Sequence, residues 1–538
     1  MADGYSDREW MEKCGVAALV DRKGERNVIA ELIHITNGLQ HRGELGAGLS
    51  WLRNRTQREC IGVLKGNGLV KDVLFPHLND QQLFSSAAIG HTRYATSGSC
   101  DDCLAQPFHY QNGSPWNTFS LAFNGNIANY RPMRTMLEEQ GVHLNCDVDT
   151  ELIGQFIIFL MKKYHDEILS SESANQGTHA QHEAKSTAMT RSVREQVMRM
   201  VFTKLQQCLD GAFNIVLLNG EGEIYAYRDR WEFRPLVYAK HDGMVAIASE
   251  DSAIREVWHD VKARTINGGE LLKARIGGRD AKLMKLFKAR PKHCFFEWVY
   301  FSDQGSRING VGVSGSRYRS GKLLAAADTD MPPGQLVVPV PESAKPAADG
   351  YADKRRLRRV DALLKNPGIG RTFITHEGRE AKALLKYDID PTVIRGRPII
   401  LDDDSIVRGT TMRALVKNLR EIAAPSEIHL RIASPPIVAP CFYGIDFATT
   451  SELLVRKYSD GTLLPDGTLP QDVLDAIAKD LDVDSIRYLP VPSVPIALRK
   501  DINELCMACV TQEYPTEAGQ ERYSLLQVGT ELISAGQT

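Results

Sequence analysis

Residues 399–411 read IILDDDSIVRGTT, and this stretch decides the fold of the C-terminal half of the chain. An apolar run that ends in acidic and small polar residues is typical of a buried strand in a parallel sheet. Ligands of such sheets bind at the carboxyl ends of the strands. The stretch leads into TTMRALVKNLREI (410–422), whose apolar spacing predicts an amphipathic helix. The start of that helix offers free backbone N–H groups, which predicts a phosphate site.

The carboxylates of this stretch need a reason to lie beside a phosphate, because like charges repel. They are explained if they hold sugar hydroxyls or a bridging Mg²⁺ ion. The alternative interpretation is an acidic turn followed by a capped helix. Asp402, Asp403 and Asp404 are the candidates for this role.

Further apolar runs end in the same way, including LVVPVP (336–341) and IHLRIASPP (428–436). Strands that alternate with helices in this manner predict a parallel α/β sheet. The N-terminal half instead carries many short strand-like pieces, such as GVAALV (15–20), among helix-like segments. Residues 165–195 are polar and lose periodicity, which predicts a variable, solvent-exposed insertion.

The composition excludes several classes of protein. The 538 residues carry a net charge of −2, whereas nucleic-acid binders usually have a basic excess. There is no apolar run of about 18 residues, which a membrane span needs. The N-terminus is polar and lacks a secretory signal, so we expect a cytoplasmic protein. In that compartment the ten cysteines indicate thiol chemistry, metal sites or inert thiols, not disulfides.

Cys14 follows thirteen polar and charged residues and begins a strand-like run. Alone, such a cysteine is most often an inert core thiol. Four short motifs follow it: QHRG at 40–43, HTRYAT at 91–96, NGN at 124–126 and DTE at 149–151. Together with Cys14 they resemble the class II glutamine amidotransferase domain.

Residues 399–411 resemble the phosphoribosyl pyrophosphate loop of type I phosphoribosyltransferases. Their DDSIVRGTT is the form found in amidophosphoribosyltransferases, and VVPVPESAKPAADGYA (337–352) and SPPIVAPCFYGID (434–446) resemble other stretches of that family. The resemblance implies hydrolysis of L-glutamine and transfer of ammonia to phosphoribosyl pyrophosphate. The product is 5-phosphoribosylamine, in the first committed step of purine synthesis.

The resemblance also implies roles at the glutamine site. Cys14 is the nucleophile once a leader, residues 1–13, is removed. Its α-amino group, with a pKa near 8, is then the base that activates the thiol. Asn124 and the Gly125 N–H form the oxyanion hole. Arg93 binds the glutamine α-carboxylate and Asp149 its α-amino group, and the charges suit these roles.

At the phosphoribosyl site the resemblance implies that Ser343, Asp403 and Asp404 hold Mg²⁺. A flexible loop with Arg371 and Lys386 closes over the substrate and excludes water. The remaining implied substrate-binding residues are Ser405, Arg408, Gly409, Thr410 and Thr411. Purine nucleotides are the implied inhibitors, and a homotetramer is the implied assembly.

Four cysteines stand in the contexts of family members that carry an iron–sulfur cluster: Cys294, Cys441, Cys506 and Cys509. Their spacing alone is compatible with a [4Fe–4S] cluster, a zinc ion or simple thiols. The resemblance favours the [4Fe–4S] cluster.

The implied fold class is α/β, with an α+β N-terminal part. An N-terminal-nucleophile αββα sandwich occupies residues 14–285, including the insertion at 165–195. A type I phosphoribosyltransferase parallel α/β sheet follows over 286–495, and residues 496–538 form a C-terminal tail with the C-x-x-C pair.

Two residues depart from the family pattern near the glutamine site. Phe123 replaces a histidine, and Glu232 replaces a glycine in DRWEFRPL (229–236). If that glycine has a positive φ, Glu232 costs about 1 kcal/mol or more. These departures motivate an alternative hypothesis, an ammonia-dependent phosphoribosyltransferase with a degenerate glutaminase domain.

Overall fold

The computed structural model describes residues 13–53, 59–80, 83–94, 104–175, 190–328, 335–366, 387–445, 447 and 449–535. The strands are β1 (Lys13–Asp21), β2 (Gly46–Leu52), β3 (Ile61–Asn67), β4 (Ala87–Tyr94), β5 (Phe108–Tyr110), β6 (Phe119–Ile127), β7 (Gly211–Asn219), β8 (Glu223–Arg228), β9 (Val237–His241), β10 (Met244–Ala248), β11 (Arg264–Thr265), β12 (Glu270–Arg275), β13 (Lys282–Lys285), β14 (His293–Cys294), β15 (Arg307–Ile308), β16 (Val311–Gly312), β17 (Leu336–Pro339), β18 (Arg358–Arg359), β19 (Leu363–Lys365), β20 (Tyr387–Ile389), β21 (Pro398–Asp403), β22 (Glu427–Ile432), β23 (Ser485–Tyr488) and β24 (Leu505–Cys506).

The α-helices are α1 (Ile29–Gly38), α2 (Val70–Val73), α3 (Tyr130–Glu139), α4 (Asp149–Asn175), α5 (Arg191–Cys208), α6 (Asp251–Arg255), α7 (Val313–Ala327), α8 (Lys345–Arg355), α9 (Pro391–Ile394), α10 (Thr410–Asn418), α11 (Gln471–Leu481), α12 (Ser493–Leu498), α13 (Ala508–Thr511) and α14 (Glu517–Ala535). In the described part of the chain, no helix is long and apolar enough to cross a membrane.

Two antiparallel sheets form the N-terminal half. The first has the strand order β11-β9-β10-β1-β4-β2-β3 and the second β13-β12-β8-β7-β6-β5. Strand β1 is buried on both faces: Val16, Ala18 and Val20 face the core between the sheets, whereas Ala17 and Leu19 face the helix side. This double burial explains the uninterrupted apolar run of β1, because successive side chains of a strand point to opposite faces.

Helices cover the outer faces of both sheets. Helix α1 packs against the first sheet, through Leu32 and Ile35 among others. Helices α4 and α5 pack against the second sheet, with Phe156 and Phe202 in the same core as Phe119. The N-terminal half is therefore the predicted αββα sandwich.

A five-stranded sheet with the order β18-β17-β21-β22-β23 forms the centre of the C-terminal half. All of its pairings are parallel, as the sequence predicts. Ile399 and Leu401 of β21 face one core and Ile400 the other. The carboxyl end of β21 thus delivers the acidic residues to one edge of the sheet.

The predicted insertion at 165–195 is more regular than its composition indicates. Helix α4 continues to Asn175 and α5 begins at Arg191, so both ends of the range are helical. Thr190 caps α5 by accepting a hydrogen bond from the Val193 N–H. The loss of apolar periodicity near residue 165 therefore marks exposure of α4, not its end. Residues 176–189 lie outside the described residues.

Candidate active sites

Cys14 lies at the start of the central strand of the first sheet. Its partner across the β1–β4 pairing is Arg93. Both residues are buried, with 1% and 3% exposure. The predicted nucleophile and the predicted carboxylate-binding arginine therefore come together from neighbouring strands. Residues 1–12 of the predicted leader lie outside the described residues.

Asn124 and Gly125 lie on β6, in the second sheet. The Asn124 side-chain amide is 3.4 Å from the Ser249 hydroxyl, and that hydroxyl accepts a hydrogen bond from the Val16 N–H. This connects the predicted oxyanion residues to β1, two residues beyond Cys14. Gly125 is required sterically, since a Cβ atom there would lie 1.8 Å from the Ala212 carbonyl oxygen.

The two predicted binding groups for the glutamine backbone have different surroundings. Arg93 Nε is buried and has no hydrogen-bond partner among the described residues. A buried guanidinium nitrogen without a partner is costly, and an incoming carboxylate would satisfy it. Asp149 begins α4 and accepts a hydrogen bond from the Ile127 N–H at 3.2 Å, next to the end of β6.

A buried network of charges lies beside Cys14, and the sequence did not identify it as a unit. Arg42 Nε donates to the Cys14 carbonyl oxygen at 3.3 Å. The Arg42 guanidinium also pairs with Glu250 and Glu297, and Arg234 pairs with Glu297 at 2.9 Å. All four charged side chains are at most 3% exposed. The two glutamates balance the two arginines, as a buried network of this kind requires.

This network perturbs the ionisation of its members. Burial alone raises the pKa of Glu250, but His41 and Arg42 lower it below its ordinary value. Burial also raises the pKa of Glu297, but Arg42 and Arg234 outweigh this effect and lower the pKa below its ordinary value. The signal in the sequence was the single acidic residue within the apolar run CFFEWVYF (294–301).

Glu297 begins a π-helical turn that ends at Phe301. The Ser302 N–H donates to the Glu297 carbonyl oxygen at 3.0 Å, which closes the wide turn. Tyr300 and Phe301 line the cavity described below, while Glu297 pairs with Arg42. A turn of five residues thus lines one predicted site and reaches Cys14 of the other through Arg42, and π-helical turns are frequent at functional sites.

A cavity of about 310 Å³ lies at the carboxyl end of β21. Most of the predicted phosphoribosyl residues line it: Ser343, Asp403, Asp404, Ser405, Arg408, Gly409, Thr410 and Thr411. His41, from the N-terminal half, lines the same cavity and pairs with Glu250 at 2.8 Å. Arg371 and Lys386 lie outside the described residues.

Ser343 and the acidic pair meet on one wall of the cavity. The Ser343 hydroxyl and the Ser405 hydroxyl both donate to the Asp404 carboxylate. Asp402 does not line the cavity and is fully buried. Neither of its carboxylate oxygens has a hydrogen-bond partner among the described residues. Burial, together with Asp403 and Asp404, raises the pKa of Asp402 well above its ordinary value.

The loop that follows β21 has a backbone conformation and side-chain pairing that suit an anion site. Gly409 has φ 78° directly before α10, a conformation that suits glycine. Arg408 pairs with Glu452 at 2.8 Å, which fixes its guanidinium at the cavity wall. Thr410 and Thr411 form the first turn of α10, so their backbone N–H groups are at the positive end of that helix.

The four predicted cluster cysteines come together from three segments. Cys294 and Cys506 are partners in the short parallel pairing of β14 with β24. The Cys509 carbonyl accepts hydrogen bonds from Val438 and Ala439, which brings the Cys441 segment alongside. Burial and the neighbouring Cys441 raise the pKa of Cys294, Arg234 opposes them, and the net value is about 12. Burial and the neighbouring thiols also raise the pKa of Cys506 and Cys509.

No disulfide joins the eight described cysteines. Among the described residues, no three His, Cys, Asp or Glu side chains form a group that could hold a single metal ion. The four buried thiols are therefore brought together by neighbouring segments of the chain. Buried cysteines of this kind suit either an iron–sulfur cluster or a single zinc ion.

The two departures near the glutamine site have different consequences. Phe123 is buried in β6, and its carbonyl oxygen lies 3.1 Å from His91 Nε2. Glu232 has φ 57°, so this position has the positive φ that suits glycine and disfavours other residues. Its strain of about 1 kcal/mol is thus present in this chain.

Comparisons with known proteins agree with these two sites. Two models of a glutamine amidotransferase domain match residues 79–171 and 161–256. A protein of Pyrococcus horikoshii named amidophosphoribosyltransferase is 34% identical, over 94% of this chain and 97% of its own length. A chloroplastic amidophosphoribosyltransferase of Arabidopsis thaliana is 32% identical, over 95% of this chain and 80% of its own.

A solved structure of the glutamine phosphoribosylpyrophosphate amidotransferase from B. subtilis, complexed with ADP and GMP, is similar throughout. Its TM-score is 0.73 at 28% identity, with 94% of this chain and 98% of that chain covered. The predicted resemblance and fold class are confirmed. The chain belongs to the amidophosphoribosyltransferase family.

Proposed function

We infer that this chain hydrolyses glutamine at Cys14 and passes the ammonia to phosphoribosyl pyrophosphate, giving 5-phosphoribosylamine for purine synthesis. The observation that carries this inference is the presence of two built sites in one chain of this family, joined by the turn 297–301. The alternative hypothesis of a degenerate glutaminase is not favoured, because Cys14, Arg93 and Asn124 are all present and buried together.

The glutamine half-reaction follows from the arrangement around Cys14. We propose that removal of residues 1–13 exposes the α-amino group of Cys14, which accepts the thiol proton. The thiolate attacks the glutamine amide, and the Asn124 side chain and Gly125 N–H stabilise the oxyanion. Arg93 binds the substrate carboxylate through its unsatisfied Nε, and Asp149 binds the ammonium group. Ammonia is released when the acyl-enzyme forms, and water then frees glutamate.

In the transferase half-reaction, ammonia attacks C1 of the ribose and pyrophosphate leaves. We propose that Thr410 and Thr411 hold phosphate oxygens, since they form the first turn of α10. We propose that Ser343, Asp403 and Asp404 hold Mg²⁺, since their oxygens are the ligand type that this ion prefers. Bound Mg²⁺ would neutralise charge on the diphosphate. Arg371 and Lys386 remain predicted substrate contacts.

We propose that Cys294, Cys441, Cys506 and Cys509 hold a [4Fe–4S] cluster with a structural role. The support is their burial, the absence of disulfides among the described residues and the pairings that bring their segments together. Such a group would bind the four sulfurs as thiolates. It would join β14, β24 and the segment before Phe442.

Three finer properties are also proposals. Purine nucleotides inhibit by occupying the phosphoribosyl site, in keeping with the ADP and GMP named for the B. subtilis structure. The protein works in the cytoplasm, where its cysteines stay reduced, and it assembles as a homotetramer. Light scattering after gel filtration tests the assembly, and inhibition by AMP, ADP and GMP tests the first point.

The decisive experiment measures phosphoribosyl-pyrophosphate-dependent pyrophosphate release with glutamine and, separately, with ammonium chloride. We expect both nitrogen sources to support the reaction in the wild type. Activity with ammonium only, identical in wild type and Cys14→Ala, would establish the alternative hypothesis. Intact mass of the same anaerobic sample reports removal of residues 1–13, and its absorption spectrum reports the cluster.

A further inference from the structure

The turn at residues 229–236 joins the glutaminase domain to the transferase side through three successive residues. Glu232 contacts His293, which adjoins Cys294: the Glu232 carbonyl oxygen accepts a hydrogen bond from His293 Nδ1 at 3.2 Å. The Phe233 ring stacks on Tyr443 with 4.3 Å between ring centroids. Arg234 donates to the Tyr443 carbonyl oxygen at 2.8 Å.

The same turn reaches Cys14 through two intermediate residues, Glu297 and Arg42. Arg234 pairs with Glu297, and Glu297 pairs with Arg42. Arg42 then donates to the Cys14 carbonyl oxygen. Every charged member of this path is buried, so water cannot replace the hydrogen bonds that a displaced Arg234 would lose.

The backbone conformation at position 232 disfavours residues other than glycine. The Glu232 side chain nevertheless makes contacts that hold this turn. At φ 57° a glycine would fit without strain. The Glu232 carboxylate is 6% exposed and accepts a hydrogen bond from the Gly268 N–H at 2.8 Å. It also lies 3.4 Å from a nitrogen of the buried Arg228 guanidinium. The carboxylate is also 3.8 Å from His293 Nδ1. A glycine would keep the backbone contacts but would lose all three carboxylate contacts.

We propose that Glu232 is a positioning residue for the glutamine half-reaction. Its carboxylate fixes the turn 229–236 against Gly268 and Arg228. The fixed turn keeps Arg234 on Glu297, and so keeps Arg42 aligned on Cys14. This inference rests on the proposed function and assigns a cause to the one strained departure in the glutaminase domain.

Three substitutions separate the carboxylate from the backbone strain. Glu232→Gly removes both, whereas Glu232→Asn keeps a residue that tolerates positive φ but is too short for the same contacts. Glu232→Gln keeps an oxygen that can accept from the Gly268 N–H. Arg356→Gly is the matched control, because Arg356 is exposed and has φ 56°.

With glutamine, we expect kcat of Glu232→Gly and Glu232→Asn to fall about tenfold, which corresponds to about 1.4 kcal/mol. The KM for glutamine stays within twofold, because Arg93 and Asp149 are untouched. Activity with ammonium chloride stays within twofold for all variants. Glu232→Gln keeps at least half of the wild-type kcat with glutamine, and Arg356→Gly changes neither activity.

The inference is overturned if Glu232→Gly and Glu232→Asn match the wild type with glutamine. It is also overturned if activity with ammonium falls by the same factor, since the residue would then act on folding in general. Should Glu232→Gly precipitate, Glu232→Asn and Glu232→Gln decide the matter by the same two ratios. A wild type that is inactive with glutamine would overturn the proposed function, and this inference with it.

Discussion

The two active sites are built in different ways. The glutamine site collects Cys14, Arg93, Asn124 and Asp149 from separate strands and a helix, and all four are buried. The predicted phosphoribosyl site takes most of its residues from one contiguous stretch, 403–411, beside a cavity of about 310 Å³. The first site therefore depends on long-range packing, whereas the second depends on local backbone geometry at the edge of a parallel sheet.

This difference predicts that damage to the first site stays within one half-reaction, while damage to the second affects both nitrogen sources. The largest effect is expected for Cys14→Ala. Removing the nucleophile should lower glutamine-dependent product formation by about 10⁴-fold or more. Ammonium-dependent formation should remain unchanged, which pyrophosphate release measures in both cases. A parallel loss with ammonium would contradict the separation of the two sites.

Asp404→Asn should lower product formation about 10³-fold with either nitrogen source, because both reactions use the same sugar diphosphate. Asp402→Asn is the matched control. Its carboxyl is buried away from the cavity, and an amide has a similar shape. We expect less than a threefold change in the control. Rates that depend on Asp402 and not on Asp404 would overturn the alignment of the acidic pair.

Glu297→Gln tests the charged network between the sites. It leaves Arg234 and part of Arg42 without a buried counter-charge, and we expect a loss of about 3 kcal/mol in the free energy of unfolding. Urea unfolding measures this loss. Glu138→Gln breaks an exposed pair with Arg134 and should cost less than about 0.5 kcal/mol. Equal losses in the two variants would show that burial of the network contributes nothing.

The smallest effect concerns pH. Burial and, to a smaller extent, the neighbouring Arg93 lower the pKa of His91 to about 3. The unfolded imidazole protonates near pH 6.5 and the folded one only near 3, so acid favours the unfolded chain between these values. From pH 6.5 to 5.5 the wild type should lose about 1 kcal/mol more than His91→Gln. Identical pH profiles of urea unfolding would refute a buried neutral His91.

Most of the predicted phosphoribosyl residues lie together in the structure because they are contiguous in the sequence. The strand, the acidic end and the small residues before the helix are read from thirteen positions, and the structure brings them to one cavity. The parallel sheet also follows from the pattern of apolar runs and helices, whereas the αββα sandwich was implied by the family resemblance. Arg371 and Lys386 remain predictions, since they lie outside the described residues.

The charged network could not be predicted in the same way. Arg42 meets Glu250 and Glu297 across 208 and 255 residues of chain. Such pairings arise from tertiary packing, and periodicity carries no information about them. A glutamate inside an apolar run was the local signal that such a partner exists. Helix α4 likewise continues past residue 165, because an exposed helix loses its apolar period without ending.

The π-helical turn at Glu297–Phe301 has a consequence for how this protein can change in evolution. In an α-helix each residue advances the side chains by about 100°, so deleting one residue from this turn would rotate either Glu297 or Phe301 out of its place. We therefore expect changes in the length of this turn to be tolerated less well than substitutions within it, because they would disturb the Glu297 pairing with Arg42 or the cavity wall at Phe301.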